Sequence, residues 1–563
     1  MTSASTAQSA SGSAADQTDD DRATGSPTTG GGGIPAAVRR RLATVDARLD
    51  GYAWLATAVV VAIAGILRFV GLGSPKGKIF DETYYAKDAY GLISRGVEWN
   101  YKDNGPAYVV HPPLGKWLIG LGEWAFGYQD TETNISVPGH LITTSPEFGW
   151  RVAAAVAGTL SVLMLVRIGR RMFRSTILGC TAGLLLALDG FHLVLSRTAL
   201  LDIFLLLFVL AAFGALVLDR DARRRRWTRA LEAGLDTSRP GRAGRPPSTW
   251  RDWPWWRLLA GVLLGCACAV KWSGVYFVPA FALLVIFWEV GVRRSAGVRH
   301  PWRDAVLDEL PWLLLAGVLV VGTYLATWSG WLFTDDGYYR LASRYPGAGL
   351  SDNPIFGPLF NLWKYHSEAY KFHTGLETPH KYQSWPWQWL LLGRPVAFHY
   401  DPNGSCGAPS CSSEILLLGT PLLWWSFLPA LAALAWLGLA RRDWRAGAIL
   451  LSVAAGLLPW FWYALDSRTM FSFYAAPAVP FLVLAVTYVL GAIATPAPAA
   501  VSATASPPNE RDIADRRLVG GIIAGAYVLL VALCFAYFYP IFVAKAITYA
   551  DWSARMWLDG RWI

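Results

Sequence analysis

Residues 51–72 read GYAWLATAVVVAIAGILRFVGL, an apolar run that contains a single charged residue, Arg68. A helix needs about 20 mostly apolar residues to cross a bilayer, because every backbone amide must be satisfied within the segment. This run therefore predicts a membrane-spanning helix. Comparable runs recur along the chain and predict eleven spans, near residues 52–72, 151–167, 176–191, 199–218, 258–272, 274–290, 311–329, 416–439, 446–463, 474–494 and 518–539. Nine or twelve spans are the alternative counts, since the runs at 176–218 and 258–290 are hard to divide.

The composition agrees with a membrane as the solvent of most of the chain. Of 563 residues, 54% are hydrophobic and only 16% are charged, and 29 are Trp. A soluble globular protein has a larger charged fraction. We therefore predict an all-α polytopic membrane protein, and we expect no nucleic-acid partner.

The Arg residues predict the orientation, because basic residues concentrate in cytoplasmic loops. The segment 219–257 alone holds eleven Arg. Placing it inside puts the amino terminus in the cytoplasm and the carboxyl terminus outside. Two long segments, 73–150 and 330–415, are then external.

The polar segments outside the spans predict the remaining organisation. Residues 1–50 are rich in Ser, Thr, Ala, Gly and Asp and predict a disordered cytoplasmic tail. Residues 51–494 form the membrane region, and 495–517 a cytoplasmic linker. The last span and an external tail occupy 518–563.

The six Cys fall into two groups. Four lie in predicted spans, where a thiol packs as a small apolar group. Cys406 and Cys411 lie in a polar turn on the predicted outside, where a disulfide persists. A metal pair is the weaker alternative, because this turn holds no His or further Cys.

Adjacent carboxylates, Asp81 and Glu82, stand in FDETYY (80–85), close after the first span. Carboxylates at membrane depth are costly unless they face water or a partner. Such a group can take the proton of an attacking hydroxyl. The alternative is structural, since Asp also caps helices, and here it would cap an amphipathic surface helix.

Several basic residues lie at span ends or within spans, where they could stabilise a departing phosphate. Among these residues Lys271 is the one most expected to have a functional role, because ionisable groups inside membranes usually mark a site. Arg197 and Asp202 lie about 140° apart on a helix and are not expected to pair. The candidates for binding a phosphate-bearing substrate are His111, Lys116, Arg151, Arg197, Asp202, Lys271, Trp385 and Arg468.

Structural alternatives apply to these residues as well. His111-Pro112-Pro113 is by itself a turn. Lys116 and Arg151 could extend to lipid headgroups. Trp385 and its Trp neighbours could be interfacial anchors. We nevertheless expect Arg151, Arg197, Lys271 and Arg468 to surround one phosphate pocket near the external boundary.

Together these residues resemble the protein O-mannosyltransferase family of GT-C glycosyltransferases, specifically its actinobacterial members, over residues 52–560. The resemblance is carried by an ordered set of motifs. They are FDETYY (80–85), VHPPLGK (110–116), GWR (149–151), LSR (195–197), LLD (200–202), VKW (270–272), HKYQSWPW (380–387) and RTMFSFY (468–474).

The resemblance implies a GT-C fold with eleven spans. It also implies mannose transfer from polyprenyl phosphate mannose to Ser/Thr hydroxyls of secreted or membrane proteins, by inversion and without metal or cofactor. Asp81 is the implied base, and Glu82 and Arg151 shape the site. The reaction is expected at the external face of a bacterial plasma membrane, where acceptors could be met during Sec translocation.

One departure from the family and two rival functions limit this interpretation. Residues 330–415 are too short for the MIR module of eukaryotic members, and no WWDYG sequence points to an oligosaccharyltransferase. A transporter or flippase of polyprenyl-linked sugars would need no base. A GT-C enzyme acting on a glycolipid or polysaccharide would differ only in its acceptor, and the identity of the sugar rests on the resemblance alone.

Overall fold

The computed structural model describes residues 38–39, 42–44, 50–239, 241–495, 510–558 and 562. The disorder predicted for residues 1–50 falls almost entirely outside these residues. So does most of the predicted linker, although the last long helix already begins at Glu510, eight residues before the predicted span.

Helices dominate the described residues. In the amino-terminal half they are α1 (Gly51–Phe69), α2 (Glu82–Arg95), α3 (Leu114–Phe126), α4 (Pro146–Phe173), α5 (Thr176–Ala187), α6 (Gly190–Leu195), α7 (Asp202–Glu232), α8 (Trp255–Val270) and α9 (Phe277–Ser295). They continue as α10 (Pro301–Thr327), α11 (Ser329–Phe333), α12 (Gly357–Thr374), α13 (Pro386–Trp389), α14 (Pro421–Trp425), α15 (Phe427–Arg441), α16 (Trp444–Leu457), α17 (Pro459–Leu465), α18 (Val479–Ala494), α19 (Glu510–Phe538) and α20 (Tyr549–Ser553).

Among the described residues, nine helical segments are long and apolar enough to cross a membrane. Two further apolar helices, α5 and α8, stand where the sequence predicts spans, but they are shorter. At 1.5 Å per residue, twelve and sixteen residues reach less than the ~30 Å of hydrocarbon. Helix α8 ends early because Lys271 has an extended backbone (φ −146°, ψ 142°).

Three small antiparallel sheets, which the sequence analysis did not predict, lie outside the long helices. In the first external segment β1 (Trp99–Asn100) pairs with β2 (Gly105–Pro106), and β3 (Gly127–Asp130) with β4 (Ile135–Pro138). In the second, β5 (Val396–Asp401) pairs with β6 (Cys411–Leu417), which also pairs with β7 (Ile547–Thr548) near the carboxyl end. The last sheet thus ties the second external segment to the end of the chain.

Helix α7 is the centre of the bundle. It packs against α4, α8 and α9 and against the 3₁₀ turn Ser472–Ala478. Of the apolar stretch of 18 residues in α7, 72% is buried within the protein. In helix α10, by contrast, none of the apolar stretch of 18 residues is buried within the protein. It approaches α8 closely because Gly261 and Gly265 leave room there. A Cβ at either would lie 2.7–2.8 Å from a backbone oxygen of α10.

Candidate active site

Asp81 immediately precedes α2, and its carboxylate is free. It occupies the cap position but makes no side-chain capping hydrogen bond, and no ion pair to it occurs within the described residues. The structure therefore does not support the capping alternative. Burial raises the pKa of Asp81 to about 6, with Lys271 opposing the rise and Asp202 adding to it.

The backbone before Asp81 is held in an unusual conformation. Phe80 has φ 46°, in the left-handed region that non-glycine residues rarely adopt. Its ring stacks on Phe398 at 4.5 Å between centroids and meets the edge of Phe473 at 6.1 Å. These contacts fix the turn from which Asp81 projects.

Glu82, the next residue, is fully buried and fully bonded. Its two oxygens accept from Arg151 Nε and Nη2, both at 2.8 Å, and from Trp150 Nε1 at 3.2 Å. The backbone amides of Ile79 and Ala199 donate to it as well, at 3.1 and 3.0 Å. Glu82 is thus a structural anchor, and the prediction that it belongs to the catalytic pair is not supported by its contacts.

Lys271 and Asp202 form a buried ion pair, with 2.7 Å between Lys271 Nζ and Asp202 Oδ2. Asp202 is the first residue of α7, and Lys271 stands where α8 breaks. The ammonium also lies 5.4 Å from the centroid of the Phe473 ring and 5.9 Å from that of Tyr474. The break in α8 therefore brings a cation to the residues near Asp81.

A cavity of ≈ 510 Å³ opens beside this pair. Its charged or imidazole lining side chains are His111, Asp202, Lys271, His366, His373 and Arg468. The rest of the lining is mainly apolar or aromatic, and includes Leu205, Val275, Val320, Val321, Trp272 and Tyr324. Asp81 is not among the lining residues, but it interacts electrostatically with Lys271 and Asp202, the ion pair that we call the polar edge of the cavity.

Arg468 contributes the second cation of the cavity. It is 5% exposed and donates to the carbonyls of His373 and Thr469 and to the hydroxyl of Tyr474. Its guanidinium lies 5.5 Å from the centroid of the Tyr474 ring. These contacts orient the group while leaving it at the cavity wall.

His111 lines the cavity beside Lys271 and His373. Burial is the main cause that lowers its pKa well below the usual value, and Lys271 and His373 lower it further. Its ring centroid lies 5.1 Å from that of His373. The burial and the surrounding cations both disfavour protonation of His111, which weighs against the expectation that it supplies positive charge.

Arg151 and Arg197 lie outside the cavity, so the prediction of four cations around one pocket is wrong for these two. Arg151 pairs with Glu82 and donates to the carbonyls of Leu72, Pro75 and Gly77. Arg197 donates at 2.8–3.1 Å to the carbonyls at the end of α1, those of Leu67, Arg68, Val70 and Gly71. Both guanidiniums thus bind backbone carbonyls at or just beyond the end of α1.

Lys116 and Trp385 also make structural contacts. Lys116 is fully buried and pairs with Glu98 at 2.5 Å, with Asp88 3.9 Å away. Trp385 stacks on Trp387 with 5.6 Å between ring centroids. Neither lines the cavity.

The sequence analysis missed most of the aromatic and imidazole wall. His366 and His373 come from α12, and Tyr463 comes from α17, the helix that precedes Arg468. Of this aromatic and imidazole lining, only His111, Trp272 and Tyr474 lay within motifs that had been singled out, VHPPLGK, VKW and RTMFSFY. In a chain with so many aromatic residues, nothing in the sequence distinguishes those that face a cavity.

The structure joins Cys406 and Cys411 in a disulfide in the turn between β5 and β6, with 5.9 Å between their Cα atoms. Neither cysteine lines the cavity. In the part of the chain that the structure describes, no group of three or more His, Cys, Asp or Glu is arranged to hold a metal ion.

Comparison with known families covers most of the chain. Residues 58–239 and 241–296 match the family described as dolichyl-phosphate-mannose-protein mannosyltransferase. Residues 358–562 match the C-terminal four-transmembrane region of protein O-mannosyltransferases. The chain belongs to the protein O-mannosyltransferase family. This membership makes it an enzyme and not a transporter of lipid-linked sugars.

Individual relatives of this family extend along nearly the full length. The polyprenol-phosphate-mannose–protein mannosyltransferase of Mycolicibacterium smegmatis is 39% identical over 517 residues, 90% of this chain and 92% of the relative. That of Mycobacterium tuberculosis is 39% identical over 525 residues, 91% of this chain and 92% of the relative.

A solved structure shares the fold. It is the Saccharomyces cerevisiae protein O-mannosyltransferase Pmt1–Pmt2 complex bound to the sugar donor, with a TM-score of 0.65, 14% identity and 94% coverage of each chain. The predicted GT-C fold of this protein O-mannosyltransferase family member is thereby confirmed.

Proposed function

We propose that this chain transfers mannose from polyprenyl phosphate mannose to Ser/Thr hydroxyls of secreted or membrane proteins, at the external face of the plasma membrane and without a metal ion. The observation that carries the proposal is the free carboxylate of Asp81 beside the Asp202–Lys271 pair, at the polar edge of the cavity. Family membership supports the donor and the acceptor class.

In the proposed reaction Asp81 is the general base. It takes the proton of the acceptor hydroxyl as the hydroxyl oxygen bonds to the anomeric carbon. The bond from that carbon to the phosphate oxygen breaks, and the phosphate keeps the electron pair. Attack opposite the leaving group inverts the anomeric configuration. With a pKa of about 6, Asp81 is mostly ionised at pH 7 yet basic enough to accept a proton.

Lys271 and Arg468 are the proposed partners of the phosphate. Both line the cavity, and the charge of a departing phosphate grows in the transition state. Asp202 holds the Lys271 ammonium at 2.7 Å and thus acts as a positioning residue. His111 adds a hydrogen-bonding group at the same wall.

The apolar lining of the cavity suits the polyprenyl chain. Val320 and Val321 come from α10, whose apolar stretch is not buried by other parts of the described protein. A lipid bound at the polar edge can therefore pass along α10 into the bilayer. The predicted orientation, with Arg-rich segments inside, places the polar edge outside.

The test is mannosyl transfer by membranes that contain the enzyme, supplied with labelled polyprenyl phosphate mannose and a Ser/Thr/Pro-rich peptide. Asp81→Asn keeps the side-chain size but removes the base, so turnover should fall roughly 10²–10⁴-fold. Donor binding should remain, because Asp81 makes no contact that holds the cavity together.

The matched control is Asp103→Asn, the same chemical change at an exposed position of the same external segment. It should leave turnover unchanged. Wild-type turnover in Asp81→Asn, under conditions where chemistry limits the rate, would exclude the base. Transfer to glycolipid or polysaccharide acceptors but never to the peptide would favour the rival acceptor class.

A further inference from the structure

A second polar cavity lies beside the middle of α7, away from the active site. Arg220 is 18 residues beyond Asp202 in this helix, about 27 Å at 1.5 Å per residue. The hydrocarbon core of a bilayer is ~30 Å thick. Since Asp202 marks one membrane boundary, Arg220 stands near the opposite one, at the depth of the lipid headgroups.

The cavity measures ≈ 220 Å³ and is more basic than acidic. It is formed where the end of α4, the middle of α7 and the start of α16 meet. Its charged lining residues are Arg171, Arg174, Arg220, Asp221, Asp443 and Arg445. Four Arg face two Asp, which leaves two positive charges.

Arg220 is the unusual member of this cavity. It is 6% exposed, and its Nε and Nη2 atoms have no hydrogen-bond partner among the residues that the structure describes. The guanidinium carbon lies over the Trp444 ring, 3.5 Å from its centroid. Its only ion-pair contact within the described residues is Asp221, at 3.6 Å.

The two carboxylates of the cavity already have closer partners. Asp221 accepts from Arg171 at 3.3 Å. Asp443 accepts from Arg445 at 2.5 and 2.9 Å and from the hydroxyl of Tyr488 at 3.1 Å. The protein therefore leaves the Arg220 charge without full compensation, and an uncompensated buried charge is costly. An anion in the cavity would remove that cost.

We propose that this cavity binds a phosphate group. A guanidinium edge matches two phosphate oxygens at once, which an ammonium or a neutral donor does not. Phosphate is also the anion that a bilayer presents at this depth, in the headgroup of an anionic phospholipid. Free phosphate from the aqueous phase offers the same chemistry. The bound group would link the ends of α4, α7 and α16.

The test uses the purified full chain in phosphatidylcholine nanodiscs, with unfolding followed by intrinsic Trp fluorescence. One arm adds phosphatidylglycerol to the discs, and the other adds inorganic phosphate against chloride at equal ionic strength. A ligand that binds only the folded state raises Tm in a saturable way. A rise in the lipid arm alone assigns the headgroup as the source, and a rise in the phosphate arm assigns the soluble anion. Either rise supports the site.

Arg220→Gln should raise the half-saturating concentration about tenfold or more, because a hydrogen bond from a charged donor is lost. Mannosyl transfer should persist, since the cavity is remote from Asp81. The matched control is Arg303→Gln, the same change at an Arg that is 70% exposed outside the cavity.

The proposal is overturned if wild type responds in neither arm, or if Arg220→Gln responds with the wild-type half-saturating concentration. If Arg220→Gln does not fold, Arg174→Gln takes its place, because Arg174 lines the cavity from an exposed position. An unchanged half-saturating concentration in that variant would overturn the proposal equally.

Discussion

Replacing Glu82 by Gln removes one negative charge and one acceptor oxygen from a site where five donors converge. Arg151 contributes two of these donors, Trp150 one, and the backbone amides of Ile79 and Ala199 the others. The substitution keeps the size of the side chain. Its effects therefore come from charge and hydrogen bonding alone.

The magnitude follows from the way the donors divide between the two oxygens. Oε1 accepts from Arg151 Nε and Ala199 N, and Oε2 accepts from Arg151 Nη2, Trp150 Nε1 and Ile79 N. The amide nitrogen of Gln must replace one oxygen, so at least two buried donors lose their acceptor. Each costs roughly 1–3 kcal/mol. Breaking one side of a buried ion pair costs roughly 3–5 kcal/mol, which agrees with the sum.

The assay is thermal unfolding of the purified enzyme at pH 7, run beside mannosyl transfer well below Tm. Glu82→Gln should lower Tm by several degrees, and its loss of turnover should follow the loss of folded protein. Glu132→Gln is the matched control, because Glu132 makes only exposed pairs with Lys87 and Lys102. A wild-type Tm combined with a large loss of turnover would refute this reasoning and return Glu82 to the chemistry.

Three further outcomes are expected. The kcat/KM for mannosyl transfer should rise as pH passes about 6, because Asp81 must lose its proton to act as a base, and a flat profile from pH 5 to 8 would contradict this. A Cys introduced near residue 130 should react with an impermeant reagent outside whole cells and one near residue 235 should not, and the reverse labelling would invert the topology. Reduction of the purified protein should free two thiols, from Cys406 and Cys411, and an unchanged thiol count would disprove the bond in solution.

The sequence predicted the membrane fold because that signal is local. Each apolar run must satisfy its own backbone, so length and composition are enough to place a span. The short helices α5 and α8 show that length and composition do not predict where a helix ends. Lys271 interrupts the second run, but hydropathy cannot tell a residue that breaks a helix from one that merely lies within it.

The site was predicted in part. Asp81, Lys271, Asp202 and Arg468 were chosen as charged groups at membrane depth, and the structure brings them together. Arg151 and Arg197 were chosen by the same rule, yet they bind backbone carbonyls. A buried guanidinium satisfies a ligand phosphate and a helix end by the same hydrogen bonds. Only the three-dimensional partners distinguish the two uses.

The network around Glu82 has a consequence for the rate of the reaction. It fastens the turn before α2 to α4 through Arg151 and to the start of α7 through the amide of Ala199. Asp81 is the residue directly before Glu82, so this hydrogen-bond network restricts the motion of the loop that carries the base. Its encounter with the acceptor hydroxyl then needs little further loss of entropy, and such preorganisation can lower a barrier as effectively as a stronger base.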